Sequence, residues 1–251
     1  MKSLIAAIQF LTVLPVPRSF SCGERELGRS VMFFPVVGLI IGAGMVVLDH
    51  GVSFLLPPLP ASVVMVIALL VISGCLHMDG LSDTADGFLS SRPRERILEI
   101  MRDSHIGPMG VIAVVCVLVL KLAALASVPD LLRWKILLLM PLAGRCALVI
   151  EMALLSYVRP EGGLAAVFAK NRSRFDVGWA LLVFAGVAYG VAGMIGLIMV
   201  GVSMLGVLIF SFWCQKKIGG FTGDTLGAAC EITEIVPALV AASWGYGRWW
   251  S

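Results

Sequence analysis

With 251 residues, 59% of them hydrophobic and only 14% charged, the chain cannot be an ordinary soluble domain, which would carry nearly twice that charged fraction. The net charge of +3 says little by its size, but the placement of the charges is informative. Several apolar stretches reach the ~18–20 residues needed to cross a bilayer core. We therefore read an all-α protein, a polytopic integral membrane helical bundle of about seven transmembrane helices forming one membrane-embedded domain over residues 1–251.

The N-terminal run MKSLIAAIQFLTVLPVP has one Lys and a short apolar stretch broken by Pro15 and Pro17. No small-x-small cleavage site follows, and the run is short for a span, so it is left unassigned. Spans are expected at 31–49, 61–76, 111–127, 136–157, 177–193, 197–214 and 232–246. The apolar run 179–213 is too long for one crossing and divides around 193–196 as a helical hairpin. None of the six cysteines (Cys22, Cys75, Cys116, Cys146, Cys214, Cys230) forms a C-x-x-C pair, so they read as small buried hydrophobes.

Seven spans divide the basic residues unevenly. One set of loops holds Arg18, Arg25, Arg29, Arg92, Arg94, Arg96, Arg102, Arg159, Lys170, Arg172, Arg174, Lys216 and Lys217, and the other holds Arg133, Lys135 and Arg248. The positive-inside rule puts the first set in the cytoplasm. Those loops are long and patterned, whereas the opposite ones are brief turns such as PPLP and SVPD. Any chemistry should therefore face the cytoplasm.

Two motifs enter the membrane from that face. In HMDGLSDTADG, 77–87, a helix places Asp79, Asp83 and Asp86 within about 60° of arc. Like charges in one stripe repel, and a hard divalent cation, Mg²⁺, is the simplest relief, because it takes oxygen ligands and bridges phosphates. Gly80 and Gly87 are read as leaving room for a ligand. His77 points to another side and stays open between general base, substrate hydrogen-bond partner and cap-region residue. A solvated acidic helix end would mix in basic residues, and none appears before Arg92. Downstream, 94–101 reads as an amphipathic surface helix, followed by Arg102 and Asp103, a candidate phosphate partner and a candidate further metal ligand.

The second motif, KKIGGFTGDTLGAACEITE, 216–234, combines Lys216 and Lys217, the glycines Gly219, Gly220 and Gly223, Thr222, and the acids Asp224, Glu231 and Glu234. Asp224 and Glu231 lie seven apart, within about 20° on a helix. A glycine-rich turn opening a helix suits an anion, although the P-loop order is absent. The pair of motifs describes a metal-bridged phosphate site. Lys121, Arg145 and Glu151 fall inside spans, where ionisable groups are functional by default, and Arg145 is expected to face the bundle interior.

HMDGLSDTADGF, ILEIMRDSHIGPMG and GGFTGDTLGAACEITE, with the opening FLTVLPVP and FFPVVGLIIG, resemble the motifs of the cobalamin synthase family, the adenosylcobinamide-GDP ribazoletransferases. The resemblance covers nearly the whole chain. It implies an integral membrane, Mg²⁺-dependent transferase that joins adenosylcobinamide-GDP to α-ribazole or its 5′-phosphate and releases GMP. It carries metal-site roles onto Asp79, Asp83, Asp86, Asp103, Asp224 and Glu231, with His77 and Asp83 catalytic. Arg102, Lys216, Lys217, Gly220 and Thr222 are the expected substrate-phosphate contacts. A bacterial cytoplasmic membrane is implied, with the lipid bilayer as partner and no nucleic acid. Association with other late corrin-assembly enzymes and an oligomer are further expectations.

Three other classes fit less well. A CDP-alcohol phosphotransferase expects D-G-x-x-A-R, and Ser82-Asp83 stands where A-R should be. An intramembrane prenyltransferase is echoed only distantly by Asp79/Asp83 and Asp224/Glu231. A cation transporter would place acids at mid-membrane within repeats, and no repeat is visible.

Overall fold

The structure, a computed structural model, describes residues 2–15, 23–159, 161–171 and 173–247. The readings on Pro17, Arg18, Cys22, Arg172 and Arg248 lie outside them. The described residues are helical almost throughout: α1 (Lys2–Leu11), α2 (Glu24–Gly28), a 3₁₀ turn (Arg29–Phe33), α3 (Phe34–Leu55), α4 (Pro58–Ile72), α5 (Leu76–Phe88), α6 (Arg94–Ile100), α7 (Pro108–Ala126), α8 (Asp130–Leu154), α9 (Leu164–Asn171), α10 (Arg174–Ile218) and α11 (Gly223–Gly247). Prolines at the first positions of α3, α4 and α7 start those helices where a backbone N–H is not needed.

Five of these helices are long and apolar enough to cross a bilayer, and α4 passes the same test only together with α5, to which it is joined by a sharp bend. α10 is itself two arms. Gly193 leaves helical geometry at φ 59°, ψ −137°, and a side chain at Gly196 would run into the carbonyl of Ala188. Val177 and Leu181 of the first arm and Met204 and Val207 of the second cluster together against Ala147 and Ile150 of α8. The chain thus folds back at Gly193 as the expected hairpin, so that with α4 the described residues hold up to seven candidate crossings.

α8 is the central post. Almost all of its residues from Ile136 to Met152 are buried, as expected for a helix apolar on every side. α3 lies against it through Gly38 and Gly42, four apart on one face. A Cβ on Gly38 would come within 2.8 Å of Leu142 Cα, so only small residues permit this approach. At the end of the bundle away from the motifs, Arg133 of α8 donates to both carboxylate oxygens of Asp49 on α3 and to Ser62 Oγ on α4, at 2.8–3.1 Å. This buried fork pins three helices together, so Arg133 is more than a loop charge.

The expected 61–76 span is corrected. α4 stops at Ile72, where Gly74 and Cys75 both take left-handed backbone (φ 59° and 58°), and the chain turns by 89° into α5. The aspartate helix does not continue the span. It lies across the end of the bundle, packed on α11 and α7. The N-terminal run left unassigned forms α1, which sets Ala6, Ala7 and Leu11 into the core beside the 3₁₀ turn and α3. Cys75, Cys116, Cys146, Cys214 and Cys230 are free thiols, but only the last three are buried.

Candidate active site

The site begins where α8 ends. Residues 155–158 run extended beside 219–222, joined by Val158 N–H to Phe221 O at 3.1 Å and Phe221 N–H to Ser156 O at 2.9 Å. Gly220 sits so close to the Ser156 carbonyl that no side chain fits. Its close approach is to this neighbouring segment, which corrects the reading of Gly220 as a ligand contact. Thr222 is corrected likewise. It is fully buried and caps α11, with Thr225 N–H donating to Thr222 Oγ1 at 3.3 Å and Thr222 N–H to Thr225 Oγ1 at 3.0 Å. The Thr222 hydroxyl also donates to Asp224 Oδ2 at 3.2 Å, fixing that carboxylate's direction.

The two-stranded clip delivers Arg159 to Asp224. Its guanidinium donates to Asp224 Oδ2 at 2.6 Å and to the Met101 carbonyl at 3.2 Å. Arg159 is the site residue the sequence reading missed. Its partner lies 65 positions away, and nothing local distinguishes it from the other loop arginines.

α5 reaches the same place by a glycine contact. A Cβ on Gly80 would lie 2.7 Å from Asp224 O, and one on Gly227 would lie 2.9 Å from His77 O. The two helices therefore touch backbone to backbone, and Asp79 and Asp224 face one cavity. Gly87 is filled in turn by Met101 and Ile97 of the α6 region. Gly80 both packs on α11 and lines the cavity, whereas Gly87 is a packing residue away from it.

The aspartate stripe holds as a stripe but divides in use. Asp79 is exposed on the cavity wall. Asp83 is half-buried with Asp224, Asp79 and Asp86 as negative neighbours and Arg159 as the positive one. Asp86 accepts the N–H groups of Gly107 (2.7 Å) and Gly110 (2.8 Å), the first free donors of α7. Both oxygens of that carboxylate thus help to hold the start of α7 in place, and Asp86 does not line the cavity.

Glu231 is also placed elsewhere. It is buried and accepts from Lys121 Nζ at 2.7 Å, while Glu234 accepts from Lys121 at 2.9 Å and from Arg145. Two cations and two carboxylates thus neutralise one another between α7, α8 and α11. Arg145 faces the interior as expected. Asp103 is exposed and accepts from the backbone and ring of its neighbour His105, which hold its carboxyl below the usual range. Arg102 pairs with Glu161, and Lys216 and Lys217 occupy the last turn of α10, where cations suit the helix end. None of these four lines the cavity.

The cavity measures about 250 Å³. One side is polar, with Asp79, Asp224, Arg159 and His77. The other is apolar, floored by Phe10, Phe34 and Phe168, whose rings lie 4.8–5.9 Å apart. His77 is buried, and neither ring nitrogen has a protein hydrogen-bond partner. Tyr157, also lining it, has its phenol pushed up by burial and donates to Gly162 O at 2.7 Å.

Among the described residues no three His, Cys, Asp or Glu side chains converge on one point. Asp79 and Asp224 instead offer hard oxygen donors on the cavity wall, and Asp83, which does not line the cavity, stands half-buried close to both. That donor set fits Mg²⁺, which commonly takes one or two carboxylates together with substrate phosphates.

A polytopic helical membrane protein with an acidic, arginine-braced cavity at one end of its bundle is the class that fold and site define. The chain belongs to the cobalamin-5-phosphate synthase family, whose sequence profile matches residues 3–242. It is 40% identical to a protein of Roseiflexus sp. (strain RS-1) over 92% of this chain and 85% of that one. It is 36% identical to one of Acetivibrio thermocellus over 93% and 94%, and 37% to one of Pseudomonas putida (strain GB-1) over 95% and 98%. All three relatives are named adenosylcobinamide-GDP ribazoletransferase. No solved structure matches the chain.

Proposed function

We propose that this protein joins adenosylcobinamide-GDP to α-ribazole or its 5′-phosphate, with Mg²⁺, at the cytoplasmic face of a bacterial membrane. The observation that carries the reading is the meeting of Asp79, Asp224 and Arg159 at one cavity, with Asp83 half-buried close beside them, in a chain of this family. A ribose hydroxyl of the acceptor forms a bond to the phosphorus that bears the cobinamide. The pyrophosphate P–O bond breaks, and GMP leaves with the electron pair on its phosphate oxygen.

Each residue has a task. Asp79, Asp83 and Asp224 hold the cation, which when bound neutralises pyrophosphate charge and stabilises the leaving oxygen. Arg159 already bridges Asp224 and the α6 region, so its guanidinium faces a phosphate entering beside Asp224. His77, whose two ring nitrogens are buried without a protein partner beside the cavity, turns toward it to accept a hydrogen bond from the attacking hydroxyl and take its proton. Burial and the nearby Arg145 and Lys121 keep the ring neutral, with Glu234 offsetting part of their charge.

Orientation follows from charge. Arg25, Arg29, Arg92, Arg94, Arg96, Arg102, Arg159, Lys170, Arg174, Lys216 and Lys217 lie at the site end of the bundle, against Arg133 and Lys135 at the other. The test is GMP release by purified protein in lipid, given both substrates, with and without Mg²⁺. Release that stops on chelation and returns with Mg²⁺ is expected. Absence of release from folded protein with Mg²⁺ present would defeat the reading.

A further inference from the structure

We infer that the apolar end of the cavity, floored by Phe10, Phe34 and Phe168, is the subsite for the acceptor's heterocyclic base, and that Phe10 and Ala165 set which base is joined. The inference rests on the transferase reading above. The cavity is divided by chemistry: Asp79, Asp224, Arg159 and His77 stand on one side, and phenyl rings and aliphatic side chains on the other. A ligand that fills it must be charged or hydroxylated at one end and flat and apolar at the other. Of the two substrates, the acceptor has that form, a ribose bearing a benzimidazole with no ring N–H to satisfy.

The donor's guanine shares the flat fused-ring shape but carries N–H and C=O groups along its edge. Against phenyl rings each would be buried without a partner, at about 1–3 kcal/mol apiece. The corrin macrocycle is excluded by size. About 250 Å³ falls below the ~300–1,000 Å³ of sites that enclose a drug-sized ligand, so the space suits one bicyclic base with its sugar. With the base on the aromatic floor, the sugar points back to His77 and the acidic rim, where its hydroxyl is needed.

Two short helices, α1 and α9, supply this end together with Phe34 at the start of α3. Phe10 comes from α1 and is half-buried, so part of its ring remains available. Phe168 and Ala165 come from α9, one turn apart and both directed inward. Phe168 and Phe34 are almost fully covered and hold the floor in shape. Phe10 and Ala165 are the positions that can change without removing it.

The experiment measures KM for each substrate separately, using full-length protein in lipid and GMP release as readout. Acceptors are α-ribosides of dimethylbenzimidazole, benzimidazole and adenine. The variants are Ala165→Leu, which fills the cavity, and Phe10→Ala with Phe10→Leu as its milder partner, each checked for a wild-type thermal midpoint. We expect Ala165→Leu to raise the KM for the dimethylbenzimidazole acceptor about tenfold or more, and the smaller benzimidazole acceptor less. Phe10→Ala raises acceptor KM, and Phe10→Leu recovers part of the loss. KM for adenosylcobinamide-GDP stays unchanged throughout. Unmoved acceptor KM in folded variants with an active wild type overturns the subsite alone. A rise in donor KM instead assigns the floor to guanine and also overturns it. A wild type that releases no GMP overturns the transferase reading, and the subsite with it.

Discussion

Asp224 is claimed by three groups at once: the Thr222 hydroxyl, the Arg159 guanidinium, and the backbone of Gly80 pressed against its own. Such a carboxylate has little freedom to be anywhere but at the cavity mouth. Replacing Arg159 by Ala removes its counter-charge and a phosphate contact together. We expect turnover to fall about 10²-fold, with Arg159→Lys recovering only part, because an ammonium restores the charge beside Asp224 but not the planar set of donors that suits a phosphate. Equal activity in all three proteins would show that Arg159 is only a surface pair. For His77, the His77→Ala variant should lose about 10²-fold in kcat with little change in KM; a full kcat across the pH range would remove the ring from the proton transfer. The acidic stripe could be read from sequence because a helix repeats its faces regularly and Asp79, Asp83 and Asp86 are close in the chain. Which of them meets the cavity could not, since the N–H groups that engage Asp86 belong to the start of α7, a neighbour only after folding.

At the scale of elements, the contact of α5 with α11 sets the site's dimensions. Gly80 and Gly227 let two backbones meet, and through them Asp79 comes to Asp224. Gly80→Val has no room for its side chain. It should cost about 1–3 kcal/mol in stability and nearly all GMP release, because it forces the carboxylates apart. Gly44→Val, at a position with open space around it, is the control and should be silent. The hairpin of α10 was legible because its apolar run exceeds one bilayer and has glycine at the middle. The bend between α4 and α5 was not, because the apolar run continues to Leu76 and the turn rests on Ser73-Gly74-Cys75, with no proline to announce it. Cys75 pays a left-handed conformation there that glycine would adopt freely. Cys75→Gly should therefore be neutral or stabilising by up to ~1 kcal/mol by thermal unfolding in detergent; a clear loss would mean the thiol has a contact that matters more than the backbone.

Across the whole molecule, charge is sorted into three layers: the Arg133–Asp49 fork at one end, the Lys121–Glu231–Glu234–Arg145 network inside, and the acidic rim of Asp79, Asp83 and Asp224 at the other end. The first two are paired within the protein; in the third, Asp224 pairs with Arg159, Asp79 and Asp224 face the cavity, and Asp83 stands half-buried beside them. Lys121→Met would strand buried carboxylates and should destabilise by about 3–5 kcal/mol, whereas Lys121→Met with Glu231→Gln should recover much of it. Failure of the double variant to recover would mean the network is not pairwise balanced.

The central claim is that the rim, and not either paired layer, performs the transfer. The most direct measurement is Mg²⁺-dependent GMP release by Asp83→Asn beside wild type, in lipid and with both substrates, the two proteins matched for thermal unfolding. Loss of about 10²–10³-fold is predicted, as expected when a group that stabilises transition-state charge is removed. A folded Asp83→Asn protein that turns over like wild type would contradict the account.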